Sequence, residues 1–571
     1  MSAEALNPYL YSTFHALLAI GVCAIAWFHP RLGNRWFRMA EAGFSCFARH
    51  RKRAVASVFV IAIAVRLPLL PWFHVPVPGV ADEFSYLLME DTFAHGRLAN
   101  PMHPMWLSFE TACENVFPTY SSMFFPAQGA VLLLGKLLGH PWVGVLLSVA
   151  GLCAALVWAL QAWMPARWAL LGGVLAILNI AVLSYWVNSY WGGAVAAIGG
   201  ALVLGAVPRI MRKPRVREGL LLGIGVAILA NSRPFEGLIF CLPFAVALLI
   251  WMWRPSSPPA RIKFWKVVMP VCAVLVPAFA FIGYYNWRVT GNPVIPPHVL
   301  WTRAYLTSPQ LPWEHQKPLM HYNNRQLEEL FNVWAPAYSR RTWTNFWRLA
   351  GEKVALYWEV FLWAGAFPIL LCVPLLLRER KGRWLLGVAL LSLLGLFSVT
   401  WSLPHYAAPA FCVFYAVLVQ ALRHLRVLRF RGRPVGLGLS RAAVLLLFFQ
   451  IATAIPERLH HPEAWFSVVG NENRAMVSRR LNRIPGKHLV LVRYAENHNL
   501  DREWVFNDAD IDGSKIVWAR EMSAEQNARL LAYYADRQVW IVEPEHTPEV
   551  LLSRLRVGNA ESGNQNAPTD Q

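Results

Sequence analysis

The chain has 571 residues, of which 56% are hydrophobic and only 15% charged, and its mean hydropathy is +0.36. That balance excludes a multidomain soluble protein, whose surfaces need a larger charged share. The net charge of +20 does not mark a nucleic-acid binder, because the basic residues form short clusters between apolar runs, the pattern that the positive-inside rule produces, and the 27 Trp suit membrane interfaces.

Stretches such as "AVASVFVIAIAVRLPLLPWF" are apolar on nearly every side. In hydrocarbon a backbone must satisfy its own hydrogen bonds, so these runs predict helices, and nothing alternates as an outer-membrane barrel would. The N-terminus has no basic n-region and no small-residue cleavage site, so no removed signal peptide is expected. The first apolar run is followed by the basic loop "HPRLGNRWFRMAEAGFSCFARHRKR". Placing this loop and its four later counterparts ("PRIMRKPRVRE", "RPSSPPARIKFWK", "RERKGR", "RHLRVLRFRGRPVGLGLSR") in the cytoplasm sends the segment Ala54 to Phe73 outward. Of the next four apolar segments one must then fail to span, or "PRIMRKPRVRE" would lie outside. The first, Ser121 to Gly139, contains Pro126, Gln128, Gly129, Gly135 and Lys136, which suit an external juxtamembrane helix.

The expected result is a polytopic α-helical protein of the plasma (inner) membrane, with about twelve spans of ~20 residues each and both termini outside. Residues 1–456 form its transmembrane module, with outer loops over 74–141 and 286–351. Residues 457–557 form a small extracytoplasmic α/β domain: "KHLVLVRY", "KIVWARE" and "RQVWIVE" read as strands, and "SAEQNARLLAYYAD" as a helix with Ser523 and Gln526 at capping-box spacing. Residues 558–571 read as a disordered tail.

The outer loop after the second span carries "ADEFSYLLMEDTFAHGRLANPMHP". Read locally, Asp82 is a helix N-cap, Glu83 favours the positive helix end, and Gly96 closes the helix. A cap's second oxygen can still face a cavity, so a chemical role for Asp82 is compatible with this reading. Four outer arginines are candidates for holding an anion: Arg97, Arg233, Arg288 and Arg303. Arg233 in "NSRPFEG" also reads as a snorkelling residue or as the local partner of Glu236, and Arg288 as a headgroup anchor.

Asp82, Glu83 and Tyr86 in a D-E-x-x-Y motif, then "HGRLANP", then "FPTYSSMFFPAQGAVLLLGKLLG", then "YYNWRVTGNPVIPP" after a later span, together resemble the GT-C superfamily of membrane glycosyltransferases. Protein O-mannosyltransferases and the lipid A aminoarabinose and galacturonic acid transferases are members. The resemblance covers roughly Ala54 to Pro297. It implies a GT-C-like fold and an inverting hexosyl or pentosyl transferase that takes its sugar from a polyprenyl-phosphate donor to an extracytoplasmic acceptor, whether glycolipid, polysaccharide or protein. That face is periplasmic in a Gram-negative cell. By resemblance Asp82 is the base and Glu83 secondary, with Tyr86 and one or more of the named arginines binding substrate. A phosphate leaving group needs no general acid, so one carboxylate base and one cation suffice.

Other signals are weaker. Asp508, Asp510, Asp512 and Gly513 begin like a calcium loop, but the twelfth position is Ala519 where calcium needs Glu, which favours an Asx-turn between strands. His95, His103, His298 and His315 lack zinc spacing, and the eight Cys form no CxxC. No cofactor is called for, and a divalent metal at Asp82 or Glu83 with distant ligands stays open. His405 and Tyr406 read as an interfacial aromatic belt. The competing functions are a transporter or flippase of lipid-linked sugars, which generally carries polar groups at mid-bilayer, and a non-catalytic envelope scaffold.

Overall fold

The computed structural model describes residues 7–255, 258–460, 470–496, 498–500, 502–546 and 550–555. The expected disordered tail lies outside the described residues. Among them, seven helices are long and apolar enough to cross a bilayer, or eight if Trp343–Phe361 and Ala364–Arg378, which meet at 99°, form one broken span.

The expectation of about twelve spans is met in part, and the segments that fall short of this length do so for local reasons. The segment Ala54 to Phe73 is helical only as Arg51–Ala64, 14 residues, before a tight turn at Leu67–Leu69. Arg66 just before that turn is fully buried. Its guanidinium donates to Asn188 Oδ1 (2.9 Å) and to the carbonyls of Phe73 (2.9 Å) and His74 (3.4 Å), fixing the chain as it leaves the bundle. The run after Arg167 is helical over Ala166–Ala176, widens into one π-turn at Ile177–Ala181, and ends there. Val216–Ala230 has 15 residues, which at 1.5 Å per residue is roughly 22 Å. The expected juxtamembrane helix is also shorter: Ser121 and Ser122 belong to the strand Thr119–Ser122, and the helix proper is Pro126–Leu137. Its 12 residues are too few to span.

The five basic loops gather at one end of the bundle. Glu41 pairs with Arg426 and Arg441, Gln161 donates to the Arg51 carbonyl, Arg212 to the Ala162 carbonyl, Gln420 to Glu379, and Gly219 packs on the backbone of Lys266. The loops over 74–141 and 286–351 and residues 470–555 come together elsewhere. There Tyr305 and Asn323 both donate to the Glu110 carboxylate (3.0 Å each), Arg520 reaches Gln326 (2.8 Å), and Tyr120 donates to the Asn507 carbonyl (2.8 Å).

Residues 470–555 build a four-stranded sheet in the order Ile516–Arg520, His488–Val492, Gln538–Glu543, Leu551–Arg554, with the first three parallel and the last antiparallel. Two helices accompany it, Glu472–Arg483 and Ala524–Tyr533, the latter capped by Ser523, which accepts from the Gln526 amide at 3.3 Å. The helix Glu472–Arg483 and the strand Leu551–Arg554 have no counterpart in the sequence reading. The side chains of the Asp508–Gly513 loop have protein partners: Asp510 accepts from the Gly513 amide (3.1 Å), Asp508 from Ser514 (3.2 Å), and Asp512 from Tyr533 and Tyr534 (3.0 and 2.6 Å) while contacting His103 (3.0 Å).

Candidate functional site

The acidic motif lies on the helix Ala81–Ala94, whose N-cap is Val80, so Asp82 is not the cap but the second helical residue. Glu83, the third, takes over the capping work. Its Oε2 accepts from the amides of Gly79 (2.8 Å) and Val80 (3.3 Å), and its Oε1 from the amide of Tyr190 (2.9 Å). A glutamate at this position reaches back to otherwise orphaned amides. Glu83 is 3% exposed, and burial pushes its carboxyl up to about 7 although the three amides pull it down. At the far end Gly96 adopts φ +70°, the left-handed geometry that ends a helix without Cβ strain, and Arg97 donates its amide to Thr92 (3.1 Å).

Three faces of this helix have three neighbours. Glu83 and Glu90 point at the bundle, where Lys136 of the helix Pro126–Leu137 pairs with Glu90 (3.1 Å) and also with Asp91 (2.8 Å). Phe84, Leu88 and Asp91, at i, i+4 and i+7, meet the C-terminal residues. The Phe84 ring stacks on Phe506 (4.2 Å, 6°), Leu88 packs in the same apolar cluster as Leu489 and Val517, and Asp91 accepts from the Ala509 amide (2.9 Å). Asp82 and Tyr86, one turn apart, share the remaining face.

That face borders a cavity of about 540 Å³ whose wall includes Tyr86, Phe124, Arg233, Glu236, His298 and Tyr406. Tyr86 stacks on Phe124 (4.4 Å, 15°). Arg233, the N-cap of the helix Pro234–Trp253, holds its guanidinium 3.9 Å from the centre of the Tyr406 ring. Asp82 is half-buried, with its Oδ2 4.0 Å from the Cys113 thiol. Burial raises the Tyr86 phenol well above its ordinary value, and both the Arg233 charge and the Asp82 carboxylate act on it. Tyr406 lies within the electrostatic reach of the same two groups. Arg233 thus sits against Tyr406, Tyr86 lies one turn from Asp82, and Glu236 adds a second carboxylate to the wall. His298 is driven down to about 4 by burial and by Arg233, so it is neutral at pH 7.

Of the sequence candidates, Tyr86 and Arg233 line the cavity, with Asp82 beside it. Arg97 lies beyond the opposite end of the acidic helix, Arg288 is exposed and donates to Tyr284 (3.3 Å), and Arg303 is exposed on the helix Pro297–Ala304; none of these three is in the cavity wall. The sequence reading did not find His298, Lys317 or Glu314 as cavity residues, and read Tyr406 as an interfacial aromatic and Glu236 as a local ion-pair partner; all five are in the wall. His405 is buried and bonds the Tyr185 hydroxyl (3.1 Å) instead of facing an interface. Among the described residues no three His, Cys, Asp or Glu side chains gather as a metal cage.

The apolar helices define an integral, multi-pass membrane protein. Among solved structures, ArnT from Cupriavidus metallidurans bound to undecaprenyl phosphate superposes with a TM-score of 0.51 at 13% identity, covering 86% of this chain and 92% of that one. Archaeal oligosaccharyltransferase AglB from Archaeoglobus fulgidus, in complex with an inhibitory peptide and a dolichol-phosphate, gives 0.43 at 12% identity over 86% of this chain and 69% of that one. The arabinofuranosyltransferase AftD from Mycobacteria gives 0.40 at 15% identity over 86% and 35%. At these identities the likeness is one of fold, and it rests on the first comparison. No protein-family model matches the chain, and no curated protein does.

Proposed function

We propose that this chain is an inverting glycosyltransferase that moves a sugar from a polyprenyl-phosphate donor to a hydroxyl of an extracytoplasmic acceptor. The observation that carries the reading is that Tyr86, one helical turn from Asp82, and Arg233, 3.9 Å from the Tyr406 ring, line one cavity. ArnT, which shares the fold, has been seen with undecaprenyl phosphate bound, a lipid of the class this cavity would receive.

In the reaction Asp82 takes the proton from the acceptor hydroxyl as its oxygen attacks the anomeric carbon. The bond from that carbon to the phosphate oxygen breaks, and the phosphate leaves with the electron pair. Arg233 offers a planar fork of donors to the departing phosphate, and charge-assisted bonds of this kind are the strong ones. Glu83, occupied by three amides, fixes the helix start and so aims Asp82; neutral His298 supplies hydrogen bonding without competing for charge. Adjacent residues cannot share a helical face, so Asp82 and Glu83 do not form the paired carboxylates of a retaining enzyme.

The test is transfer from undecaprenyl-phosphate-linked sugars to acceptors in membrane vesicles. Asp82→Asn keeps the shape of the side chain and removes the base, and is expected to lose roughly 10²–10⁴ in rate while still binding undecaprenyl phosphate. Full turnover by Asp82→Asn would end this reading.

A further inference from the structure

A second cavity, of about 410 Å³, lies among the basic loops and plays no part in the proposed transfer. Four helices wall it: Asn34–Arg49, Ala166–Ala176, Phe411–Val427 and Val435–His460. Its charged groups are Arg167, Arg426, Arg441 and Glu41, a net charge of +2.

The wall is graded. Along Ala166–Ala176 the lining residues run from Arg167 through Trp168 and Leu171 to Val174, and along Val435–His460 from Arg441 through Val444 and Leu445 to Phe448. The first runs at i, i+1, i+4 and i+7 and the second at i, i+3, i+4 and i+7, so each of these strips goes from a guanidinium to hydrocarbon roughly 10 Å deeper. Phe411–Val427 runs the other way and keeps the same polarity, with Leu422 inside and Arg426 at its end. Three helices thus agree on which end of the cavity is cationic.

The cations are only partly neutralised. Glu41 alone serves both Arg426 (2.6 Å) and Arg441 (3.0 Å). Burial would raise its carboxyl, but hydrogen bonds and charge from the two arginines hold it below the ordinary value, so it stays an anion. Arg167 rests over the face of Trp168 at 5.9 Å. Exposed Arg35, Arg38, Arg49, Arg51, Lys52 and Arg53 add positive charge around this end.

We propose that this cavity binds one anionic diacyl phospholipid of the surrounding bilayer. Its phosphate sits on Arg167, Arg426 and Arg441, and one acyl chain lies between the Leu171–Val174 and Val444–Phe448 strips. Charge selects the headgroup: a zwitterionic lipid brings a cation that three arginines repel. The apolar depth selects an amphiphile over free phosphate, because filling those walls with hydrocarbon recovers contacts that phosphate leaves empty.

The probe is the full-length protein in mild detergent, offered an equal mixture of phosphatidylglycerol and phosphatidylcholine, with retained lipid counted by native mass spectrometry. One retained phosphatidylglycerol, preferred over phosphatidylcholine, supports the assignment. Arg167→Gln, at an exposed site outside the Glu41 cluster, should cut retention about tenfold, the worth of one charge-assisted contact. Glu41→Gln should raise retention several-fold, since it removes the internal competitor for two guanidinium groups, whereas a cluster that only staples helices would gain no lipid. Equal retention of the two lipids, retention unchanged by Arg167→Gln, or a folded Glu41→Gln that binds no better would each overturn the proposal. So would undecaprenyl phosphate displacing phosphatidylglycerol from the wild type but not from Arg167→Gln. None of these readouts depends on glycosyl transfer.

Discussion

Asp82 and Glu83 are neighbours whose surroundings give them opposite tasks. Glu83 is enclosed, with its carboxyl raised from 4.5 to about 7 mainly by burial. Between those values the folded chain keeps a proton that the unfolded chain has lost, so this group makes stability fall as pH rises from about 4.5 to 7, by roughly 3 kcal/mol across the window. Glu83→Gln removes the titration and keeps one acceptor oxygen. Its Tm in detergent should therefore vary less than the wild-type Tm over that interval, and an identical pH profile would show that Glu83 does not titrate there. In the proposed reaction Arg233 carries the other half of the site. Arg233→Met should weaken undecaprenyl phosphate binding by roughly 10- to 100-fold, the range of a hydrogen bond to a charged group, and Arg233→Lys should restore only part of it because the planar fork is lost. Binding measured by thermophoresis decides this. Positions 82, 83 and 86 stood out through a resemblance to a family motif; helix geometry added that Asp82 and Glu83 face different ways, while the local reading of Asp82 as the cap missed Val80. Arg233 could not be told from Arg97, Arg288 and Arg303, since cavity membership depends on His298 and Tyr406 arriving from remote segments.

The acidic helix is placed by what presses on its other faces. From the C-terminal side, Arg474 donates to the carbonyls of Trp504 (2.9 Å) and Phe506 (2.7 Å), and its guanidinium lies 4.7 Å from the Phe84 ring and 4.6 Å from that of Trp518. The chain leading into the helix is held as well: the Asn471 amide donates to Pro78 (3.0 Å), and Gly470 lies so close that an added Cβ would stand 2.0 Å from the Val77 carbonyl. Gly470→Val should force this contact apart at a cost of about 1–3 kcal/mol. Hydrogen exchange should quicken in residues 77–94 while the strands His488–Val492 and Ile516–Arg520 keep their protection. Beneath the helix, Pro126–Leu137 meets Pro141–Leu160 with Gly135 and Gly144 in backbone contact, where a Cβ on Gly144 would stand 2.1 Å from the Val131 carbonyl. The reading that Ser121 to Gly139 does not span came from charge balance, and the helix found there covers only the 12 residues Pro126–Leu137. Hydropathy counts apolar residues but does not show where a helix stops, which is why the helix leading to Arg66 is shorter than the apolar run predicts.

Across the whole molecule, the basic loops and the acidic site occupy separate regions, and the C-terminal sheet sits with the site. Lysine and arginine are retained on the cytoplasmic side during insertion, so the distribution of charge fixes which way the bundle points. The proposed function needs the site outside, where a sugar on a polyprenyl carrier meets an envelope acceptor. Charge and packing thus make one joint prediction. Cys46, on the helix Asn34–Arg49, and Cys272 are the exposed native thiols among the described residues. In intact cells a membrane-impermeant maleimide should leave Cys46 unmodified until the membrane is permeabilised. A cysteine placed on the exposed C-terminal surface by Glu525→Cys, in a Cys46→Ser, Cys272→Ser background, should be modified at once. Glu525 is exposed in the first turn of the helix Ala524–Tyr533 and pairs with the equally exposed Arg529 (2.7 Å), so the substitution leaves the contacts to the acidic helix intact. Labelling in the reverse order would put Asp82 in the cytosol and remove the basis for extracytoplasmic transfer, whatever the fold.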